Sequence, residues 1–114
     1  MAFIRKDAEV EWEEHFMTDK GSIKWYFTRE RDDSPITVMR VRLEKGVSLP
    51  DHRHRDQPDL IYALEGKATM FIDGEGEFPL EGGMIVMVPP NTLHAIRNVE
   101  EEVILYNVFA PGFK

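Results

Sequence analysis

Four histidines and no cysteine occur in this 114-residue chain, so any transition-metal site must be assembled from imidazole and carboxylate. The same count excludes zinc ribbons, disulfide frameworks and thiol nucleophiles. Three of the histidines fall in a dense pattern. Gly46, five residues, His52, one residue, His54, four residues, Asp59, six residues and Gly66 form a first run. Sixteen residues later Gly83, five residues, Pro89, four residues, His94, three residues and Asn98 form a second. On a strand, residues i and i+2 share a face, which puts His52 and His54 roughly 6.6 Å apart at the backbone, close enough to converge on one ion. A pair of imidazoles alone is a weak site; a third imidazole and a carboxylate would complete a divalent-cation site. His15 sits in an acidic stretch beside Phe16, matches no ligand spacing and is expected at the surface.

The elements that must position these groups read as strands. Ile23, Trp25 and Phe27 alternate with Lys24 and Tyr26; after a charged, proline-ended turn, Thr37, Met39, Val41 and Leu43 alternate with Val38, Arg40 and Arg42. Arg40 and Arg42 are expected on the solvated side, where they discourage edge-to-edge pairing. Beyond the histidine loop, residues 59–66 and 67–73 continue the alternation, with Ala68, Met70 and Ile72 on one face. Asp73-Gly74 is then a strong hairpin signal. The apolar run 84–88, a Pro-Pro-Asn turn, a strand through His94 and the run 103–109 complete the series. Turn signals at this spacing, with no ten-residue helical window beyond the first twenty residues, predict an all-β sandwich or barrel. Residues 1–20 read as an N-terminal extension whose apolar residues fit an extra strand or a short helical turn, and residues 21–114 as one barrel domain.

The paired motifs resemble those of the cupin superfamily, and the resemblance spans about residues 36 to 110. It implies a double-stranded β-helix, or jelly-roll barrel, in which His52, His54 and Asp59 from the first motif join His94 from the second around a metal. The family's usual glutamate is aspartate here, one methylene shorter, which reaches about 1.5 Å less far. Gln57 is a rival ligand, because some cupins use glutamine. Pro58 has no ladder donor and suits a strand start, which leaves Gln57 in the loop and favours Asp59. Asn91 stands where the family usually has glycine; asparagine also tolerates a left-handed turn. Asn98 is read as stabilising a turn. Ile61 and Ala63 should share the face of Asp59 while Tyr62 points away, and Phe109 or Tyr106 should close the barrel mouth.

Three imidazoles and one carboxylate suit iron, manganese, nickel, zinc, cobalt or copper better than calcium or magnesium. The resemblance implies a small metal-dependent enzyme acting on a small oxygenated, carbohydrate or carboxylic-acid substrate by isomerase, lyase or dioxygenase chemistry. A non-catalytic module that binds or senses a sugar or acid is the alternative, and a purely structural ion is a third reading. Arg55 is a candidate partner for a substrate carboxylate. The net charge of −7 argues against nucleic acid as a partner. No apolar run approaches the length that spans a bilayer, which with the acidic N-terminal stretch leads to an expectation of a soluble, cytoplasmic protein. Similar small cupins pair, so a homodimer is expected, with the N-terminal extension near the interface.

Overall fold

The alternation from Thr37 to Leu43 builds a strand whose buried side chains Thr37, Met39, Val41 and Leu43 face inward, while Arg40 and Arg42 face out. The computed structural model describes residues 2–114 and is an antiparallel all-β barrel of the jelly-roll type. Its strands are β1 (Glu13–Glu14), β2 (Gly21–Phe27), β3 (Thr37–Leu43), β4 (Asp59–Ile72), β5 (Gly76–Glu81), β6 (Ile85–Val88) and β7 (His94–Phe109). They hydrogen-bond in the order β1-β2-β3-β7-β4-β5, with β6 on β4. The charged turn after β2 winds into a single helical turn, α1 (Arg29–Asp32), because Thr28 caps it by accepting from the Arg31 amide at 3.1 Å.

Strands β4 and β7 are unusually long because each carries its inward face around a corner of the barrel. In β4, Asp59, Ile61 and Ala63 are buried, then Ala68, Met70 and Ile72; the buried parity flips between them. A side-chain period of two permits that flip only where the ladder slips, and the β4–β7 register shifts between Ala63 and Thr69. Strand β7 flips as well, from His94 and Ile96 to Val103, Leu105, Asn107 and Phe109, with Asn98 in a left-handed conformation (φ 49°) between the two halves. One core results, built on Ile23, Leu43, Ile61, Met70, Leu80 and Leu105.

Gly66 lies at the β4 slip with φ of 98°, and a Cβ there would overlap the Glu102 carbonyl oxygen and stand 2.6 Å from Val103 Cα. Gly66→Ala is therefore expected to destabilise the barrel by about 2 kcal/mol, combining left-handed strain with backbone displacement. Chemical denaturation measures it; an unchanged midpoint would show that the corner yields freely.

The N-terminal segment carries a 3-10 turn at Asp7–Glu9 and the two-residue β1, paired with β2 through Glu13↔Ile23 and Glu14↔Ser22. Two corrections follow on β3. Arg42 stacks on Trp12, its Cζ 4.6 Å from the ring centroid, and Arg40 Nη1 reaches Asp7 Oδ2 at 3.4 Å, so these arginines strap down the N-terminal segment instead of standing free in solvent. Lys24 Nζ adds a hydrogen bond to the Asp7 carbonyl at 2.9 Å.

Candidate metal centre

His52 and His54 lie in the loop before β4, not within a regular strand. His52 nevertheless makes an isolated antiparallel bridge with His94, the first residue of β7; each backbone N–H donates to the other's carbonyl at 2.9 Å. That bridge joins the two sequence motifs. The Asn91 amide donates to the His54 carbonyl, and Asn91 itself has the left-handed φ of 54° that its turn requires. The candidate ligand nitrogens of His52, His54 and His94 lie within 4.8 Å of one another. Asp59, the first residue of β4, places Oδ2 3.7 Å from His54 Nε2 and 3.5 Å from His94 Nε2.

Hydrogen bonds fix two of the rings. His52 Nδ1 donates to the Pro50 carbonyl at 2.8 Å and His94 Nδ1 to the Thr92 carbonyl at 2.8 Å. A carbonyl only accepts, so the neutral rings carry their proton on Nδ1 and present a bare Nε2 lone pair. Backbone carbonyls in this position orient metal-binding imidazoles and raise their basicity. His94 Nε2 is buried and makes no hydrogen bond among the described residues. Burial pushes the His52 and His54 imidazoles below their ordinary range; hydrogen bonding to Pro50 opposes this at His52, and the Asp59 carboxylate opposes it at His54. Neutral, convergent nitrogens beside a carboxylate are the donor chemistry that a divalent transition metal requires.

Asn107 was not singled out in the sequence. It is buried on β7, and its Nδ2 donates to Asp59 Oδ1 at 2.9 Å, leaving Oδ2 turned toward the histidines. Its signal was a single amide inside an apolar run, at the parity of Leu105 and Phe109. That parity also settles the mouth: Phe109 points in and is buried, whereas Tyr106 is exposed. The His54 ring lies 4.8 Å from Phe109 and 5.9 Å from Phe113. Ile61 and Ala63 are buried and Tyr62 is exposed, as the strand parity required. Gln57 is in the loop before β4, and Arg55 is exposed on a separate surface depression with Arg53, Asp56 and Asn91.

His15 departs from expectation. It is buried, not at the surface, and lines the same cavity as His52, His54, Asp59 and His94. The acidic residues around it misled, because Glu13 and Glu14 face out on β1 while the next residue turns in under Phe16. Burial, aided by His52, pushes its imidazole down to about 4. The cavity is small, about 30 Å³, and Phe16, Met17, Leu49 and Phe109 supply apolar walls.

A family model described as a cupin domain matches residues 39–109. Pectin degradation protein KdgF of Dickeya dadantii is 29% identical over 105 residues, covering 92% of this chain and 89% of that protein. Quercetin 2,3-dioxygenase of Bacillus subtilis is 32% identical over 84 residues, which is 74% of this chain but only 25% of the enzyme, so this chain spans about a quarter of its length. Among solved structures, KdgF from Halomonas sp. superposes with a TM-score of 0.78 at 19% identity, covering 93% of this chain and 92% of that one. An RmlC-like cupin from Shewanella frigidimarina gives 0.80 at 20% identity, covering 100% and 95%. With both histidine motifs, the bridge that joins them and a family match over more than half its length, the chain belongs to the cupin domain family.

Proposed function

We propose that His52, His54, Asp59 and His94 bind a divalent transition metal and that the protein is a metal-dependent enzyme for a small sugar acid or related hydroxy-carboxylic acid. The observation that carries this reading is the buried Nε2 of His94, which makes no hydrogen bond among the described residues and is held by the ring's Nδ1 hydrogen bond in the tautomer that ligates. A divalent ion there would polarise a carbonyl or hydroxyl oxygen of the substrate. The protein's own groups prepare the place. Asn107 holds one carboxylate oxygen of Asp59, while the walls of Phe109 and Met17 exclude bulk water and strengthen every charge interaction inside. The match to a pectin degradation protein along most of both chains, pectin being a polymer of sugar acids, supports a sugar-acid substrate.

Metal analysis of the purified protein, followed by parallel assays of oxygen uptake and of sugar-acid isomerisation or elimination, tests the reading. Retention of about one transition-metal ion per chain with oxygen-independent turnover is expected. Failure to retain any transition metal would sink it.

We further propose that the protein works as a homodimer. Tyr62 and Leu64 on β4, Ile85 and Met87 on β6 and Tyr106 on β7 are exposed, and Ile85 and Met87 are 63% and 64% accessible. The register places Tyr62 opposite both Ile85 and Tyr106, so the side chains form one stripe on adjacent strands. In a chain of net charge −7, an uncharged apolar stripe is where two copies meet with least repulsion, and a two-fold axis makes it self-complementary. The double variant Ile85→Lys, Met87→Glu is expected to halve the mass measured by light scattering while keeping the fold. A wild-type mass of one chain at micromolar concentration would exclude the dimer.

A further inference from the structure

Of the polar side chains lining the histidine cavity, His52, His54, Asp59 and His94 are the proposed ligands and Asn107 holds Asp59; His15 is left without a role. It is delivered by the N-terminal segment, whose return to the barrel is fixed by the His15 amide donating to the Gly21 carbonyl at 3.0 Å. The Met17 amide donates to His15 Nδ1 at 3.0 Å. A backbone amide can only donate, so Nδ1 is the acceptor and the neutral ring carries its proton on Nε2. This is the opposite tautomer from that of His52 and His94. Those rings offer lone pairs to a cation; His15 offers an N–H. The ring is stacked on Phe16, with centroids 4.9 Å apart and planes 23° from parallel, it lines the histidine cavity, and no hydrogen bond from Nε2–H is seen among the described residues. A ring N–H that lines the cavity without a protein acceptor is free to donate to a ligand oxygen there.

We propose that His15 is a substrate-binding residue, its Nε2–H donating a hydrogen bond to an oxygen of a carboxylate or carbonyl ligand whose other end is held at the histidine cluster. The inference rests on the metal site proposed above. It assigns the N-terminal segment a part in recognition, and the required ligand has at least two oxygens, one toward the metal and one toward His15. With Nδ1 occupied and Nε2 protonated, the ring donates and does not abstract a proton. A neutral imidazole used as a donor polarises a carbonyl without carrying charge.

The test uses cobalt(II)-loaded protein, whose visible spectrum reports the ligand sphere, titrated with formate as the smallest carboxylate. Two variants remove the donor in different ways. His15→Asn keeps a side-chain acceptor for the Met17 amide, as in an Asx turn, but withdraws the N–H from the cavity. His15→Phe keeps the ring stacked on Phe16 and loses both nitrogens. Both are expected to bind cobalt within about twofold of wild type and formate about fivefold more weakly. Unchanged formate affinity in either folded variant overturns the proposal, because a purely structural histidine is replaced in its cap by the first and in its packing by the second. Loss of cobalt from both variants also overturns it, by making His15 part of the metal site. Failure of wild type to bind cobalt overturns the metal reading and this proposal with it; cobalt binding with formate indifferent to residue 15 overturns this one alone.

Discussion

His94→Ala is expected to weaken metal binding at least about a hundredfold and lower the melting temperature of the metal-loaded protein by about 10 °C, while leaving the EDTA-treated protein far less changed. His94 holds two kinds of interaction that the substitution separates. Its backbone bridges to His52 in both directions, and those hydrogen bonds survive in alanine. Its buried Nε2, oriented through Nδ1 and Thr92, does not survive. Loss of a ligand should exceed the ten- to hundredfold that supporting groups cost, so affinity falls at least about a hundredfold. For a site loaded at a thousand times its Kd, that reduces linked stabilisation by about 2.7 kcal/mol. With an unfolding entropy of about 2.1 cal/mol/K per residue, a chain of this length melts roughly 11 °C lower. Metal analysis and thermal melts with and without chelator read both effects. Gln57→Ala serves as the control and should change neither, since Gln57 precedes β4. If Gln57→Ala strips the metal and Asp59→Ala does not, the carboxylate assignment is wrong.

The parts of the molecule visible in the sequence are those where chemistry and period act locally. Alternation located β3 and both halves of β4, because one inward face forces apolar residues to every second position. The histidine spacings identified the cluster, because the turns that bring His52 and His94 into register are written in short-range residues such as Asn91. Less visible were features decided by distant contacts. The parity flips of β4 and β7 depend on which strand each half meets, so the sequence showed two short strands where the fold has one bent one. Parity at Asn107 was likewise unreadable until Phe109 was paired with Thr37 and Asp59. The apolar run 84–88 has no polar alternation to show which of its faces is inward. In the fold β6 is a short strand paired to β4, so Ile85 and Met87 face outward while Val88 is buried. His15 was misplaced for a related reason: its burial comes from the return of the N-terminal segment over the barrel, a tertiary event without a local period.

Phe109→Ala should be the most destabilising single side-chain truncation at the site, and its consequences should reach the metal. Phe109 ends β7, is 1% exposed and sits between Thr37 on β3 and Asp59 on β4. Its ring meets Phe113 at 4.7 Å and His54 at 4.8 Å, both edge to face. Truncating a fully buried phenylalanine costs about 3–5 kcal/mol through lost burial and the cavity left behind. At about 4 kcal/mol the melting temperature of a chain this size drops roughly 17 °C. The cavity would open beside His54, a proposed ligand for which no Nδ1 anchor of the kind holding His52 and His94 is seen among the described residues. Packing is then what holds the His54 ring, and metal affinity should fall ten- to hundredfold, the range seen when supporting groups of a metal site are removed. Phe109→Leu separates the two effects. It restores most of the volume, so stability should recover to within about 1.5 kcal/mol of wild type. It lacks the flat edge that meets the imidazole, so metal affinity should recover less completely than stability. Denaturant titration together with metal titration distinguishes the outcomes. Parallel recovery of both would mean that Phe109 fills space only; an unaltered metal affinity in Phe109→Ala would show that His54 is held by something other than this aromatic wall.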